Sequence, residues 1–229
     1  MRVLVVDTAL GLCTAAVLEV EANGETWVAR PLGLRSEAMA KGHQERLAGM
    51  VRDAAAEAGG FGDVDRIGVT VGPGSFTGLR VGLAFAQGLG AALDRPVVGI
   101  STLDGLAASA DGGGPAAALI DARRGQVYAR FWRDGAPTGP PEALSIEAAR
   151  DRALGLGAGV RLIGSGAALI AGEVPGAVAL ELAGPAPGAL ARLTAAADPA
   201  DNPPRPVYLR APDATPPTRL PGQARPPAP

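Results

Sequence analysis

A two-lobed α/β fold is predicted by three observations. Three strand-like runs open the chain, helix-like and strand-like segments then alternate, and a glycine-rich spacer precedes a second set of strands. Residues 2–7, 12–20 and 26–32 read as short strands. The turns Ala9-Leu10-Gly11 and Ala22-Asn23-Gly24 between them predict an antiparallel meander. A helical pattern over about 38–58 follows, then a strand over 66–71. Glycines at 72, 74 and 78 link that strand to a helix running to Leu93. A strand over 97–100 and a helix over 102–109, with Ser101 placed as N-cap, complete the first set. This order of three strands, then alternating helices and strands, is that of a ribonuclease-H-like lobe.

After Asp111-Gly-Gly-Gly-Pro115, strands restart at 116–121 and 126–133, turning through Arg123-Arg124-Gly125. A helix opened by Ser145 and Glu147, a strand over 160–163 and the turn Gly164-Ser165-Gly166 continue a shorter second lobe. The expected division is residues 1–110, 111–210 and a tail over 211–229. From Pro199 onward 11 of 31 residues are proline, so the tail has too little apolar surface to fold on itself. Val207-Tyr208-Leu209 is the exception and is expected to dock on a lobe.

Composition excludes more than it selects. With 21 basic against 23 acidic residues the net charge is −2, which predicts no strong field for nucleic acid. One cysteine, Cys13, cannot form an internal disulfide and fits a reducing cytoplasm. The apolar run at the start is broken by Asp7, so neither a signal peptide nor a membrane span is expected there.

The glycine loop fails both common phosphate patterns. Only three residues separate Gly74 from Gly78 and no lysine follows, so it is not a P-loop; Gly72-x-Gly74 lacks the third glycine of a dinucleotide fingerprint. The helix beyond it carries two stripes. Gly78, Gly82, Ala86 and Gly90 recur every four residues beside Val81, Phe85, Leu89 and Leu93. Glycine inside a helix costs roughly 1 kcal/mol against alanine, so the smooth stripe implies close approach by another backbone, from the chain's own sheet or from a second subunit.

The segment from Gly72 to Gly82, Asp121-Ala-Arg-Arg-Gly-Gln-Val-Tyr128, Val5-Val6-Asp7-Thr8-Ala9 and Pro206-Val-Tyr-Leu-Arg210 together resemble the TsaB (YeaZ) family. The resemblance runs from the first residue to about Arg210 and is thin between about 135 and 205. It implies an actin-like ATPase fold of two ribonuclease-H-like lobes, the second reduced. It also implies a non-catalytic, cytoplasmic subunit that binds a TsaD-like catalytic subunit, with a TsaE-like ATPase joining the complex. A homodimer stays open, no membrane is expected, and tRNA would be met only through the complex. The expected interface lies on the two long helices of the first lobe, through His43, Leu47, Met50, Val51, Ala54, Gly78, Gly82, Phe85 and Ala86.

The residues themselves argue against catalysis. The related TsaD subunits hold a metal through a helical histidine pair; here the equivalent run is His43-Gln44-Glu45-Arg46-Leu47, and His43 is the only histidine in the chain. Ser75 has no base beside it, and Cys13 has neither a base nor a cation next to it. Asp7 keeps an alternative open, since in an actin-like fold the turn after the first strand faces nucleotide phosphates. The competing functions are therefore an actin-fold ATPase or kinase and a metal-dependent glycoprotease. No catalytic, metal or cofactor residue is expected, and an adenine nucleotide at a subunit interface stays open.

Overall fold

The computed structural model describes residues 1–24, 26–39, 41–110 and 112–210; the proline-rich tail lies outside the described residues. Its first sheet contains β1 (Arg2–Asp7), β2 (Leu12–Asn23), β3 (Thr26–Ala38), β4 (Arg66–Gly72) and β5 (Val97–Ser101), in the order β3-β2-β1-β4-β5. β1 pairs antiparallel with β2 and parallel with β4, so the opening meander continues into a parallel half. Helices α1 (His43–Glu57) and α2 (Phe76–Leu93) connect β3 to β4 and β4 to β5, and α3 (Thr102–Ala108) follows β5.

The second sheet repeats the scheme on a smaller scale. β6 (Ala116–Asp121) pairs antiparallel with β7 (Gln126–Arg133) and parallel with β10 (Arg161–Ile163), which pairs with β11 (Val178–Leu180). β8 (Ala136–Pro137) and β9 (Glu142–Ser145) both pair with β7. The helices are α4 (Ile146–Gly155), the single turn α5 (Ala168–Ala171) and α6 (Pro187–Ala196). This is the actin-like, ribonuclease-H-like α/β fold, with strands of only three residues at the parallel end of the second sheet.

Each sheet has two covered faces. On one, α1 and α2 bury Leu47, Met50, Val51 and Leu83 against Leu4, Val6, Val17 and Val69. The matching face of the second sheet packs Ala149, Ala153 and Ile170 against Leu119, Phe131 and Leu162. The remaining faces are exchanged. α6, from the end of the chain, lays Leu190, Ala191 and Ala195 on Val3, Val5, Leu18 and Ile100 of the first sheet. α3, from the first half, lays Leu103 and Leu106 on Ala116, Ala118 and Ile163 of the second. Arg130 of β7 binds both carboxylate oxygens of Asp104 in α3 at 2.6 Å, and Arg192 of α6 donates to the Ala108 carbonyl at 3.0 Å. A division at 110/111 stands as a proposal for how the sheets are shared out, but α3 and α6 each cross it.

One element departs from expectation. β3 runs on to Ala38, where the sequence pattern places a strand end at 32 and a helix start at 38, and α1 begins only at His43. Pro31 and Gly33 punctuate the sequence without ending the strand. Pro31 is tolerated because β3 is the sheet edge, and the register shifts beside it between Val17 and Leu18. Gly33 meets α1: a Cβ there would lie 2.1 Å from the Ala54 carbonyl oxygen. α2 is long and apolar enough by composition to cross a membrane, with mean hydropathy 1.2, but its smooth stripe is spent on the sheet.

Candidate functional site

The C-terminal ends of β1 and β4 meet the start of α2, and Asp7 lies at that junction. Asp7 is fully buried. Its Oδ1 accepts the Ala9 N–H at 2.9 Å and the Thr70 hydroxyl at 2.7 Å, while Oδ2 has no protein partner. Burial pushes the carboxyl pKa up, opposed by those two hydrogen bonds and by the charge of His43. The chain returning from β11 to α6 covers it, since a Cβ on Gly184 would stand 3.3 Å from Oδ2. Asp7 is thus closed off from solvent in this conformation.

The glycine loop is packed onto the same turn. Ser75 donates its backbone N–H to the Ala9 carbonyl at 2.7 Å, and the Thr8 hydroxyl donates to the Gly78 carbonyl at 2.7 Å. A Cβ on Gly74 would lie 2.3 Å from the Ala9 oxygen, and one on Gly78 would lie 2.0 Å from the Thr8 oxygen. Glycine is required here because two backbones touch. The Ser75 hydroxyl accepts the Gly78 N–H at 3.2 Å as the N-cap of α2.

Most of the residues of the expected interface lie in the chain's own core. Gly82 faces Thr8 and Val69, with a Cβ only 2.4 Å from the Thr8 hydroxyl, and Gly78 and Ala86 are buried on the same side. Leu47, Met50, Val51 and Ala54 are buried in the chain's own core, and His43 is 8% exposed with Nε2 unpartnered. An apolar or smooth face is what marks these positions in the sequence, and the chain's own sheet claims that face. Phe85 alone among the nine is half-buried. The outward residues include Arg80, Ala84, Gln87 and Gly88 on α2 and Arg46, Ala48 and Arg52 on α1, with Gly49 half-buried. Neither Gly49 nor Gly88 has any atom within 4 Å of a would-be Cβ.

Cys13 is buried, and burial with the charges of Asp7 and Glu37 pushes its thiol up to about 11, so it stays protonated near neutrality. In the β6–β7 turn, Arg123 pairs with Asp121 at 3.2 Å. Among the described residues no group of three His, Cys, Asp or Glu is arranged to hold a metal ion. Thr70 and Gly184, which bind or cover the Asp7 turn, carry no signal of their own in the sequence. A threonine inside an apolar strand is ordinary.

A family model described as TsaD, tRNA N6-adenosine threonylcarbamoyltransferase, matches residues 16–138. The solved structure of YeaZ from Pseudomonas aeruginosa superposes with a TM-score of 0.71 at 30% identity, over 91% of this chain and 99% of that one. The chain belongs to the TsaB (YeaZ) family. The Escherichia coli tRNA threonylcarbamoyladenosine biosynthesis protein TsaB is 35% identical over 139 residues, 58% of this chain and 56% of that protein. The alignment thus spans little more than half of that relative. An uncharacterized Mycobacterium tuberculosis protein is 37% identical over 220 residues, 93% of this chain and 94% of its own length.

Proposed function

We propose that this chain acts in tRNA threonylcarbamoyladenosine biosynthesis as a non-catalytic subunit. In this reading it holds a TsaD-type catalytic subunit, which transfers threonylcarbamoyl to the N6 of the adenosine beside the anticodon. A TsaE-type ATPase joins them in the cytoplasm. The observation that carries the non-catalytic part is the sealed Asp7, the one carboxylate placed where an actin-like enzyme would meet nucleotide phosphates. It also counts against an ATPase or kinase acting alone. No cofactor belongs to the chain's own fold in this reading, and an adenine nucleotide would lie at the subunit interface.

The partner face is assigned to the outward side of α1 and α2, around Gly49, Ala84 and Gly88. Exposed glycines inside helices are unfavourable unless a second backbone comes close. Co-expression with the TsaD homologue of the same genome, followed by mass determination of the eluted complex, tests both claims. The wild-type chain should elute with its partner and Gly88→Arg should elute without it at a melting temperature no lower than that of the wild type, because nothing lies within 4 Å of a would-be Cβ there. Full retention of the partner by Gly88→Arg would remove this face from the reading. ATP turnover by the purified chain that is lost in Asp7→Asn would end the non-catalytic assignment.

A further inference from the structure

Of the eight aromatic residues in the chain, Phe76 and Tyr208 alone are exposed, at 50% and 44%. They stand against each other, ring centroids 5.4 Å apart and planes tilted by 38°. Arg80 lies over the Phe76 ring at 3.8 Å and points Nε at the Tyr208 hydroxyl at 3.4 Å. Such a cluster contributes little to any core, since both rings stay about half exposed. It is nevertheless held in place. Val207 donates its N–H to the Val71 carbonyl at 2.8 Å, close against Gly72, and Arg210 donates to the Ala122 carbonyl at 3.1 Å and to the Gln126 side chain.

The segment therefore bridges the start of α2 and the β6–β7 turn, and it collects positive charge along the way. Arg80 lies on the rings, Arg205 and Arg210 stand three residues before and two residues after Tyr208 in the chain, and Arg123, with a side chain 86% exposed, is paired with Asp121. This basic stripe stands out on a chain whose net charge is −2. Stacked guanidinium and aromatic faces, flanked by further cations, match alternating bases and phosphates of an unpaired strand; a duplex hides its base faces.

We propose that Phe76, Arg80 and Tyr208 form a stacking platform for single-stranded RNA, with Arg205 and Arg123 following its phosphates. The proposal deepens the assignment to tRNA modification and rests on it: within the complex, this chain touches the RNA directly. A docking protein is the competing occupant, and the arginine on the rings together with those along the Tyr208 segment favour RNA.

Fluorescence anisotropy of the full chain with a labelled short oligouridine RNA, against an RNA duplex of equal length, tests the platform. Binding to the single strand should saturate and weaken steeply between about 50 and about 200 mM salt, as expected when phosphate contacts contribute. Tyr208→Ala should weaken it by roughly tenfold, the scale of one lost base stack, while Tyr208→Phe, which keeps the ring, should bind as the wild type does. Arg80→Gln should also bind more weakly, and its salt dependence should be shallower. Matched thermal melts show that each variant is folded. No binding by the wild type, or equal binding by wild type and Tyr208→Ala, overturns the proposal. Should Tyr208→Ala lose the TsaD-type subunit on co-purification while its RNA binding is unchanged, the patch is a protein contact and the proposed function stands. Failure of the wild-type chain to retain that subunit, with the RNA result intact, would instead count against the proposed function.

Discussion

At the scale of single residues, Asp7 sets a measurable pH signature. Its folded-state pKa is raised above the ordinary 3.8 by burial, so between that value and the higher folded value the native state holds a proton that the unfolded state has lost. Stability from this group therefore falls as pH rises through that window, and the penalty persists above it. An asparagine at this position keeps an oxygen for the Ala9 N–H and the Thr70 hydroxyl but has no charge to desolvate. The difference in melting temperature, Asp7→Asn minus wild type, should accordingly grow in the variant's favour from about pH 4 upward. A pH-independent difference would mean that the carboxylate is ionised and accommodated in the folded protein.

At the scale of elements, α2 offers an internal control because glycines on its two sides have opposite surroundings. Gly78→Ala places a methyl group 2.0 Å from the Thr8 carbonyl oxygen, a backbone atom held at the end of β1. The cost should be about 1–3 kcal/mol, the usual range for overpacking. Gly88→Ala places its methyl in open space, and the gain in helix propensity should stabilise the isolated chain by up to about 1 kcal/mol. Chemical denaturation of both variants checks the pair. If both lose stability alike, the outward side of α2 is not free in solution.

At the scale of the whole molecule, the exchange of α3 and α6 makes the two sheets interdependent. A fragment of residues 1–110 lacks Leu190, Ala191 and Ala195, which cover Val3, Val5, Leu18 and Ile100. It should fail to give a cooperative melt, whereas the full chain should unfold in a single transition seen alike by calorimetry and by circular dichroism. An independently folded 1–110 fragment would show that the first sheet can close without the helix from the far end. Arg66 adds to the dependence by donating from β4 to the Ala197 carbonyl at 2.7 Å, at the end of α6.

The amino-acid sequence by itself determined the periodic elements: β6 and β7 span the expected 116–121 and 126–133, and Ser101 and Ser145 cap α3 and α4 through their hydroxyls. Local rules suffice there, because alternation and capping depend on neighbours in the chain. The extension of β3 past Pro31 was illegible locally, since only its place at the sheet edge makes that proline harmless. The same limit governs the site. Helical spacing could show that Gly78, Gly82 and Ala86 want a close neighbour, and that Leu47, Met50 and Val51 form an apolar face, but not whose surface they meet. The tertiary structure decided that they meet the chain's own β1 turn and sheet. It also brought Gly184 over Asp7 and Tyr208 beside Phe76, because contacts between residues so far apart in the chain are set by packing of whole layers and leave no periodic trace in the sequence.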